Sequence, residues 1–149
     1  YFGASMGPLL PFKIDGMTET YPTWGMWLSH PSEISQVEYG FLAAHAKGVS
    51  FYNLSIGLRI DYELAKALQA YLTLGIDGNY YRPQDTLTNT YDFDFSGGSH
   101  FGFGVLQRMA LDLYLRADCK FSFGPGKTLY TGFGFLWEIG MVQPAGSSR

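Results

Sequence analysis

Charged side chains recur at every second position within stretches that are otherwise apolar or small. Arg59 and Asp61 are separated by one residue, and Arg116, Asp118 and Lys120 repeat that spacing. Alternate residues of an extended chain point to the same side, so each set would gather opposite charges on one face. A face of this kind could hold paired ions, relay protons or line a path for solutes.

A nucleophile beside a general base is the second chemistry that the residue types suggest. Ser99 and His100 supply the hydroxyl and the imidazole at the start of a predicted strand, whereas His30 falls in a predicted turn and His45 near a strand end. Adjacent strand residues point to opposite faces, so these two side chains cannot meet without a bulge. We therefore expect no enzyme activity, no cofactor and no metal site.

The elements that position these residues are strands with one oily face and one polar face. From residue 54 to residue 60 every second residue is aliphatic, and the residues between them are small, polar or charged. The same alternation recurs over residues 71–77, 112–120 and 129–138. Strict period two is typical of half-buried β-strands.

The composition of the polar face indicates which face is inside. A soluble barrel buries its apolar face and covers the other with many solvated charges. Here the polar face is mostly Gly, Ser, Asn and Tyr, and its few charges lie in the middle of strands. This favours an inside-out barrel that turns apolar residues to lipid and polar residues to a closed lumen.

Composition excludes other classes of protein. The 149 residues include 19 Gly, 17% aromatic and 15% charged residues, and the net charge of −3 with no Lys/Arg cluster argues against nucleic-acid binding. No run of 18 apolar residues exists, which excludes a transmembrane helix but allows a spanning strand, since only half of its residues meet lipid.

The chain divides into eight predicted strands, which is an even number and therefore closes a barrel with both termini on one side. Short connections at 30–34, 62–67 and 109–110 are predicted to be periplasmic turns, and 62–70 could form a helical turn. The opposite edge carries 12–20, the turn at 47–48, the long loop 81–98 and the turn at 124–126. The predicted strands are 1–11, 21–29, 35–46, 49–61, 68–80, 99–109, 111–123 and 127–140.

The predicted lumen gathers most of the charged residues. Eight strands enclose an interior just wide enough for side chains, so charges there must be paired. We predict an internal ion-pair plug rather than a path for protons or solutes. By parity the polar face carries His100 and Asp112 together with the predicted lumen network of Glu38, Arg59, Asp61, Asp77, Arg108, Arg116, Asp118, Lys120 and Glu138.

The long loop is the predicted extracellular contact surface. It mixes acids with aromatics, and its Asp-x-Asp pair lacks the further oxygen ligands and the Gly of a calcium loop. The alternatives are a hairpin whose aromatics rest on the lipid interface and a surface that binds a partner. The predicted contact residues are Tyr81, Arg82, Asp85, Tyr91, Asp92, Phe93, Asp94 and Phe95.

The lone cysteine and the chain ends suggest an exported chain. Cys119 falls on the predicted lipid face and is expected to pack as a small apolar residue. Alternation starts at Tyr1 without a leader, as in a mature chain after removal of an export signal. We predict a barrel over residues 1–140 and a flexible periplasmic tail or linker stub over 141–149, where Gln143 to Ser148 has linker composition.

The segments 1–7, 113–121 and 129–137 resemble small eight-stranded outer-membrane barrels of the OmpA, OmpX and OmpW type. The resemblance covers nearly the whole chain and implies an all-β, eight-stranded antiparallel up-and-down barrel in a Gram-negative outer membrane. One departure is that ten residues follow Ile139, whereas such barrels often end on an aromatic residue; OmpA-type proteins, however, continue into a linker and a periplasmic domain.

The predicted function is a non-enzymatic membrane anchor or interaction platform with a plugged lumen. Its expected partners are outer-membrane lipid or lipopolysaccharide and another envelope protein. One alternative is an OmpW-like channel or binder for small hydrophobic molecules, with Tyr81, Phe93 and Phe95 at its entry. Another is a soluble lipocalin-like barrel, suggested by the Gly-x-Trp element at residues 25–27.

Overall fold

The computed structural model describes residues 1–12, 14, 17, 19–32, 34–46, 48–82, 94–124 and 126–139. Each strand pairs antiparallel with the next and β8 pairs with β1, which closes a barrel. The described residues include no helix of the length and hydropathy needed to cross a bilayer. The strands are β1 Phe2–Phe12, β2 Tyr21–Pro31, β3 Gln36–Ala46, β4 Val49–Ala65, β5 Leu68–Arg82, β6 Asp94–Ala110, β7 Leu113–Phe123 and β8 Lys127–Trp137.

The apolar face of the strands is on the outside, as the sequence predicts. In β4 the side chains of Leu54 and Leu58 are exposed, whereas Asn53 and Arg59, which point the other way, are each 1% exposed. The fold class predicted from the alternation is confirmed. A soluble lipocalin-like barrel does not fit, because its apolar faces would line the interior.

Two predicted connections are shorter than expected. The suggested helical turn over 62–70 is wrong, because Tyr62 and Leu64 continue the outward apolar register and only Lys66 and Ala67 form the turn. On the opposite edge β6 begins at Asp94, which pairs with Tyr81, so β5 and β6 extend into the predicted loop 81–98. In β6 the alternation of polar and apolar side chains continues through Asp94, Phe95 and Ser96.

Large inward side chains lie over inward glycines of the same or a neighbouring strand. A methyl group on Gly40 would collide with the Trp27 ring, one on Gly104 with the Tyr71 ring, and one on Gly132 with its neighbour Tyr130. Glycine is used inside a strand where another group must approach the backbone closely. These glycines therefore make room for a packed interior.

The two ends of the barrel carry different connections. The loop end carries the β1–β2, β3–β4, β5–β6 and β7–β8 connections, and the terminal end carries the other three turns together with Tyr1 and Ile139. An apolar cluster fills the interior toward the loop end, formed by Leu9, Met17, Tyr21, Trp27, Leu42, Ala44, Val49, Phe51, Tyr81 and Tyr130. A smaller one at the terminal end contains Tyr71, Leu106, Tyr114 and Leu136.

Candidate functional site: the polar interior of the barrel

Glu38 lies at the centre of the polar interior, between two arginines from other strands. Arg116 Nη1 contacts Glu38 Oε2 at 2.7 Å and Arg116 Nη2 contacts Oε1 at 3.1 Å. Arg59 Nη1 donates to the same Oε2 at 2.9 Å. All three side chains are buried, so both carboxylate oxygens and both guanidinium groups are paired inside the barrel.

Two aspartates complete the arginine pairing on either side of Glu38. Asp61 Oδ1 accepts from Arg59 Nε at 2.8 Å, and Asp118 Oδ1 accepts from Arg116 Nε at 2.8 Å. The Tyr71 hydroxyl also donates to Asp118. In each case the strand places Arg and Asp two residues apart on one face, which is the spacing noted in the sequence.

Polar side chains of β2 and β3 close the network toward the terminal end. Gln36 Nε2 donates to Asp61 Oδ2 at 2.8 Å, and its Oε1 accepts from Arg59 Nη2 at 2.8 Å. The Ser29 hydroxyl accepts from Arg59 Nη1 at 3.2 Å. Each guanidinium is therefore held by several acceptors in a fixed orientation.

Aromatic rings cover the arginine faces that do not carry donors. The Arg116 guanidinium carbon lies 4.6 Å from the Trp27 ring centroid and 5.0 Å from the Tyr71 centroid. The Arg59 guanidinium carbon lies 5.5 Å from the Tyr71 centroid. The Tyr71 ring is thus close to both arginines, and cation–π attraction contributes to holding their positive charges close together.

Side chains of β4 to β7 form a second polar cluster near Trp27, with Lys120 Nζ 6.0 Å from the Trp27 ring centroid. Asp77 Oδ1 contacts His100 Nδ1 and Lys120 Nζ, both at 3.0 Å. Lys120 Nζ also donates to Asn53 Oδ1 at 2.9 Å, and Asn53 Nδ2 donates to Asn79 Oδ1 at 2.7 Å. The charged network therefore continues as amides toward the loop end.

The most deeply buried charges are balanced, and little space is left between the two polar clusters. Three deeply buried carboxylates, Glu38, Asp77 and Asp118, accompany three deeply buried cations, Arg59, Arg116 and Lys120. The cavity between the two polar clusters measures about 10 Å³, which is the space of one water molecule at most. The arrangement can hold charge and orient side chains, but it offers no room for a solute.

Arg108 and Glu138 lie apart from this network, although parity placed them in it. Arg108 is exposed at the terminal end, where its guanidinium donates to the carbonyls of Ala110 at 3.3 Å and Leu111 at 2.9 Å. The register shifts between Arg108 and Ala110, so the alternation is broken there. Glu138 follows the last residue of β8 and is exposed, as is Asp112, whose carbonyl accepts from the Glu138 amide.

Several residues of the interior were missed by an argument based on charge. Trp27 donates from Nε1 to the Ser5 hydroxyl at 3.0 Å, and Tyr130 shares a hydrogen bond with that hydroxyl at 2.8 Å. Tyr71, Asn53 and the residues closing the network were also not singled out. Their positions, an even number of residues from other inward side chains on the same strand, were the signal that could have identified them.

The predicted loop contacts divide between interior and surface. Tyr81 is buried inside the barrel and its hydroxyl shares a hydrogen bond with Ser96 at 2.9 Å, so it is not a surface contact. Arg82 is half-buried, Asp94 is exposed and Phe95 is 75% exposed. Asp85, Tyr91, Asp92 and Phe93 lie outside the described residues.

The catalytic candidates do not assemble a site in the described part of the chain. Ser99 and His100 lie within β6 on opposite faces, Ser99 exposed and His100 buried on Asp77. Over the described ranges, no group of three or more His, Cys, Asp or Glu side chains could hold a metal ion. Cys119 lies on the outward face, partly exposed and without a disulfide.

No protein-family model and no curated protein matches the sequence. Similar solved structures include Neisserial surface protein A, at 10% identity and TM-score 0.80, over 93% of this chain and 96% of that one. The N-terminal β-barrel domain of Pseudomonas aeruginosa OprF matches at 10% identity and TM-score 0.64, covering 91% and 95% of the two chains. Ail, the attachment invasion locus protein of Yersinia pestis, matches at 11% identity and TM-score 0.61, covering 91% and 93%. This chain therefore has the fold of the small eight-stranded outer-membrane barrels, as the sequence resemblance implied.

Proposed function

We propose that this chain is an integral outer-membrane barrel that acts as a non-enzymatic anchor and interaction platform. The observation that carries the proposal is the inverted burial pattern. Aliphatic and aromatic side chains are exposed around the outside of the barrel, whereas arginine, glutamate and lysine are buried within it. In water this surface would be a large aggregation liability, but lipid covers it favourably.

The height of the apolar surface suits a bilayer. On β4 the outward positions from Tyr52 to Tyr62 are all apolar or aromatic, and ten residue-to-residue steps separate the first from the last. At about 3.4 Å per residue and a tilt of about 40°, this run rises about 26 Å, close to the apolar band of about 25 Å on membrane barrels. The tyrosines at its two ends suit the membrane–water interfaces.

A lumen that does not conduct is the second part of the proposal. The paired charges around Glu38 and Asp77 fill the interior, and the cavity between them has room for about one water molecule. Removing a charge such as Glu38 would leave its buried partners incompletely compensated, which opposes spontaneous opening. The proposal therefore favours an anchor over the alternative of a channel for small hydrophobic molecules.

The ends of the barrel are then the surfaces available to partners. At the loop end Phe95 projects from β6 beside the exposed Asp94, and at the terminal end Ile34 is exposed in a turn. We propose that lipid or lipopolysaccharide surrounds the strands and that another envelope protein contacts an end. The predicted tail 141–149, outside the described residues, would connect the barrel to periplasmic components.

Two measurements on the protein purified in detergent test membrane insertion and conductance. We expect β-rich circular dichroism and a gel mobility that changes on boiling, followed by no stable conductance in planar bilayers. A monomer that stays folded without detergent would overturn the membrane assignment. Reproducible channels at low voltage would overturn the non-conducting lumen while leaving the membrane assignment intact.

The platform role is tested by photo-crosslinking in whole cells. A photoreactive amino acid at position 95 is expected to yield a discrete protein adduct, whereas the same group at the lipid-facing Leu74 should yield none. If position 95 gives no protein adduct, a platform at this surface is excluded.

A further inference from the structure

The two mouths of the barrel differ in how well their inward side chains are covered. At the loop end the inward residues Tyr21, Val49, Tyr81 and Thr128 are each at most 9% exposed, although Asp94, which pairs with Tyr81, is exposed. At the terminal end Tyr114 and Leu136 are buried, but the outermost positions Glu63 and Glu138 are exposed. Strand ends normally face solvent, so something must cover the mouth at the loop end.

Two described residues between β1 and β2, Ile14 and Met17, contribute to that cover. Met17 lies outside any strand, yet it is only 3% exposed and belongs to the apolar cluster formed by residues of β1 to β5 and β8. Its side chain therefore occupies the mouth itself rather than the surface beside it. Ile14 packs against the same cluster.

Backbone and wall contacts hold these two residues in place. The Met17 amide donates to the Ile14 carbonyl oxygen at 3.1 Å, and the two residues form an isolated antiparallel bridge. Ile14 also lies against Gly126 beside the start of β8, where a methyl group would collide with its side chain. The absence of a side chain at Gly126 thus lets Ile14 pack close to the backbone beside the start of β8.

We propose that Ile14 and Met17 form an apolar lid that seals the loop end, so that the polar interior exchanges with solvent through the terminal end alone. Apolar side chains across a narrow mouth exclude water, whereas Gln36, Asp61 and Glu63 present polar groups at the other mouth. The lid is a property of the folded barrel, so it can be tested in detergent independently of the proposed function.

Cysteine labelling measures whether each mouth admits a small reagent. In a Cys119→Ala background, Thr128→Cys reports on the space beneath the lid and Glu63→Cys reports on the terminal mouth. The probe is the cationic thiol reagent 2-(trimethylammonium)ethyl methanethiosulfonate. We expect Thr128→Cys to react at least tenfold more slowly than Glu63→Cys in the folded protein; equal rates would overturn the seal.

Removal of the lid residue tests which side chain is responsible. Met17→Ala should raise the labelling rate of Thr128→Cys at least tenfold, whereas Met6→Ala, at an exposed outward methionine, should leave it unchanged. An unchanged rate in Met17→Ala would overturn the role of Met17. Retention of the boiling-dependent gel shift establishes that each variant is folded.

A second variant keeps the proposal testable if Met17→Ala does not fold. Gly126→Leu would displace Ile14 while leaving Met17 intact, and it should also accelerate labelling of Thr128→Cys. Gly97→Leu is the matched control, because nothing lies within 4 Å of a methyl group at that position. Equal labelling in the two leucine variants would show that Ile14 does not close the mouth.

Discussion

The interior of this barrel is packed by different chemistry toward its two ends. Toward the loop end most large inward residues are apolar or aromatic, with Leu9, Leu42 and Phe51 each at most 2% exposed, beside amides such as Asn79. Toward the terminal end the same inward positions carry Glu38, Arg59 and Arg116, joined by hydrogen bonds. An apolar contact tolerates many orientations, whereas a buried charge requires its partner at one distance and angle.

This difference implies that the two halves respond differently to change. Truncating an apolar residue removes contacts and leaves a cavity, but the surrounding side chains can relax toward it. Removing one member of a buried ion network leaves other charges desolvated and unpaired. Four substitutions test this comparison, from the largest expected effect to the smallest.

Glu38→Gln should be the most destabilising change in the charged half. It leaves the two arginines with one fewer negative charge between them, so we expect a loss of about 3–5 kcal/mol in the free energy of unfolding. Urea unfolding in lipid vesicles, followed by tryptophan fluorescence, measures it. Glu63→Gln, at an exposed position, should change the value by less than about 0.5 kcal/mol. Similar losses in both variants would contradict the stabilising role of Glu38 in the ion network.

Leu42→Ala should produce a cavity loss in the apolar half of about 2–5 kcal/mol. The same unfolding assay applies, beside the volume-conserving Leu42→Met, for which we expect a loss below about 1.5 kcal/mol. If Leu42→Met loses as much as Leu42→Ala, the cost in the apolar half does not come from a cavity.

Gly40→Ala tests the fit between aromatic rings and inward glycines where the two halves meet. The added methyl group would collide with the Trp27 ring, so we expect overpacking to cost about 1–3 kcal/mol. Gly97→Ala adds the same group to open space and should change stability by less than about 0.5 kcal/mol. Equal effects would mean that the interior relaxes freely around Trp27.

Arg108→Ala should have the smallest effect, because this arginine is exposed and bonds only two turn carbonyls among the contacts described. We expect a loss of about 0.5–1.5 kcal/mol, as for ordinary hydrogen bonds. A loss as large as that of Glu38→Gln would place Arg108 inside the charged network after all. Unfolding in urea, measured beside Arg108→Lys, distinguishes these outcomes.

Prediction from the sequence succeeded where side-chain alternation is regular. The parity of β4 placed Leu58 outward and Arg59 inward, and both lie there. It failed where the register changes or a strand ends: the shift after Arg108 moves that side chain to the rim, and Glu138 follows the end of β8. Tyr81 falls in the predicted loop 81–98, but β5 continues to Arg82 and places its side chain inside the barrel.

Trp27 shows why the site could be predicted only in part. In the sequence it is one residue of a Gly-x-Trp element, with nothing to mark its surroundings. In the barrel it covers Arg116, bonds Ser5 and lies over Gly40. Those three partners come from β7, β1 and β3, and closure of the sheet decides which of them meet.

The sequence by itself determined that this chain forms strands with an apolar outer face and a polar inner face, because period two is a local property of the extended backbone. Tertiary structure alone decided the pairing across the lumen. Glu38 and Arg116 are 78 residues apart, and Ser5 and Tyr130 are 125 apart, yet both pairs are hydrogen-bonded. Such contacts depend on strand number, stagger and tilt acting together, which no local pattern encodes.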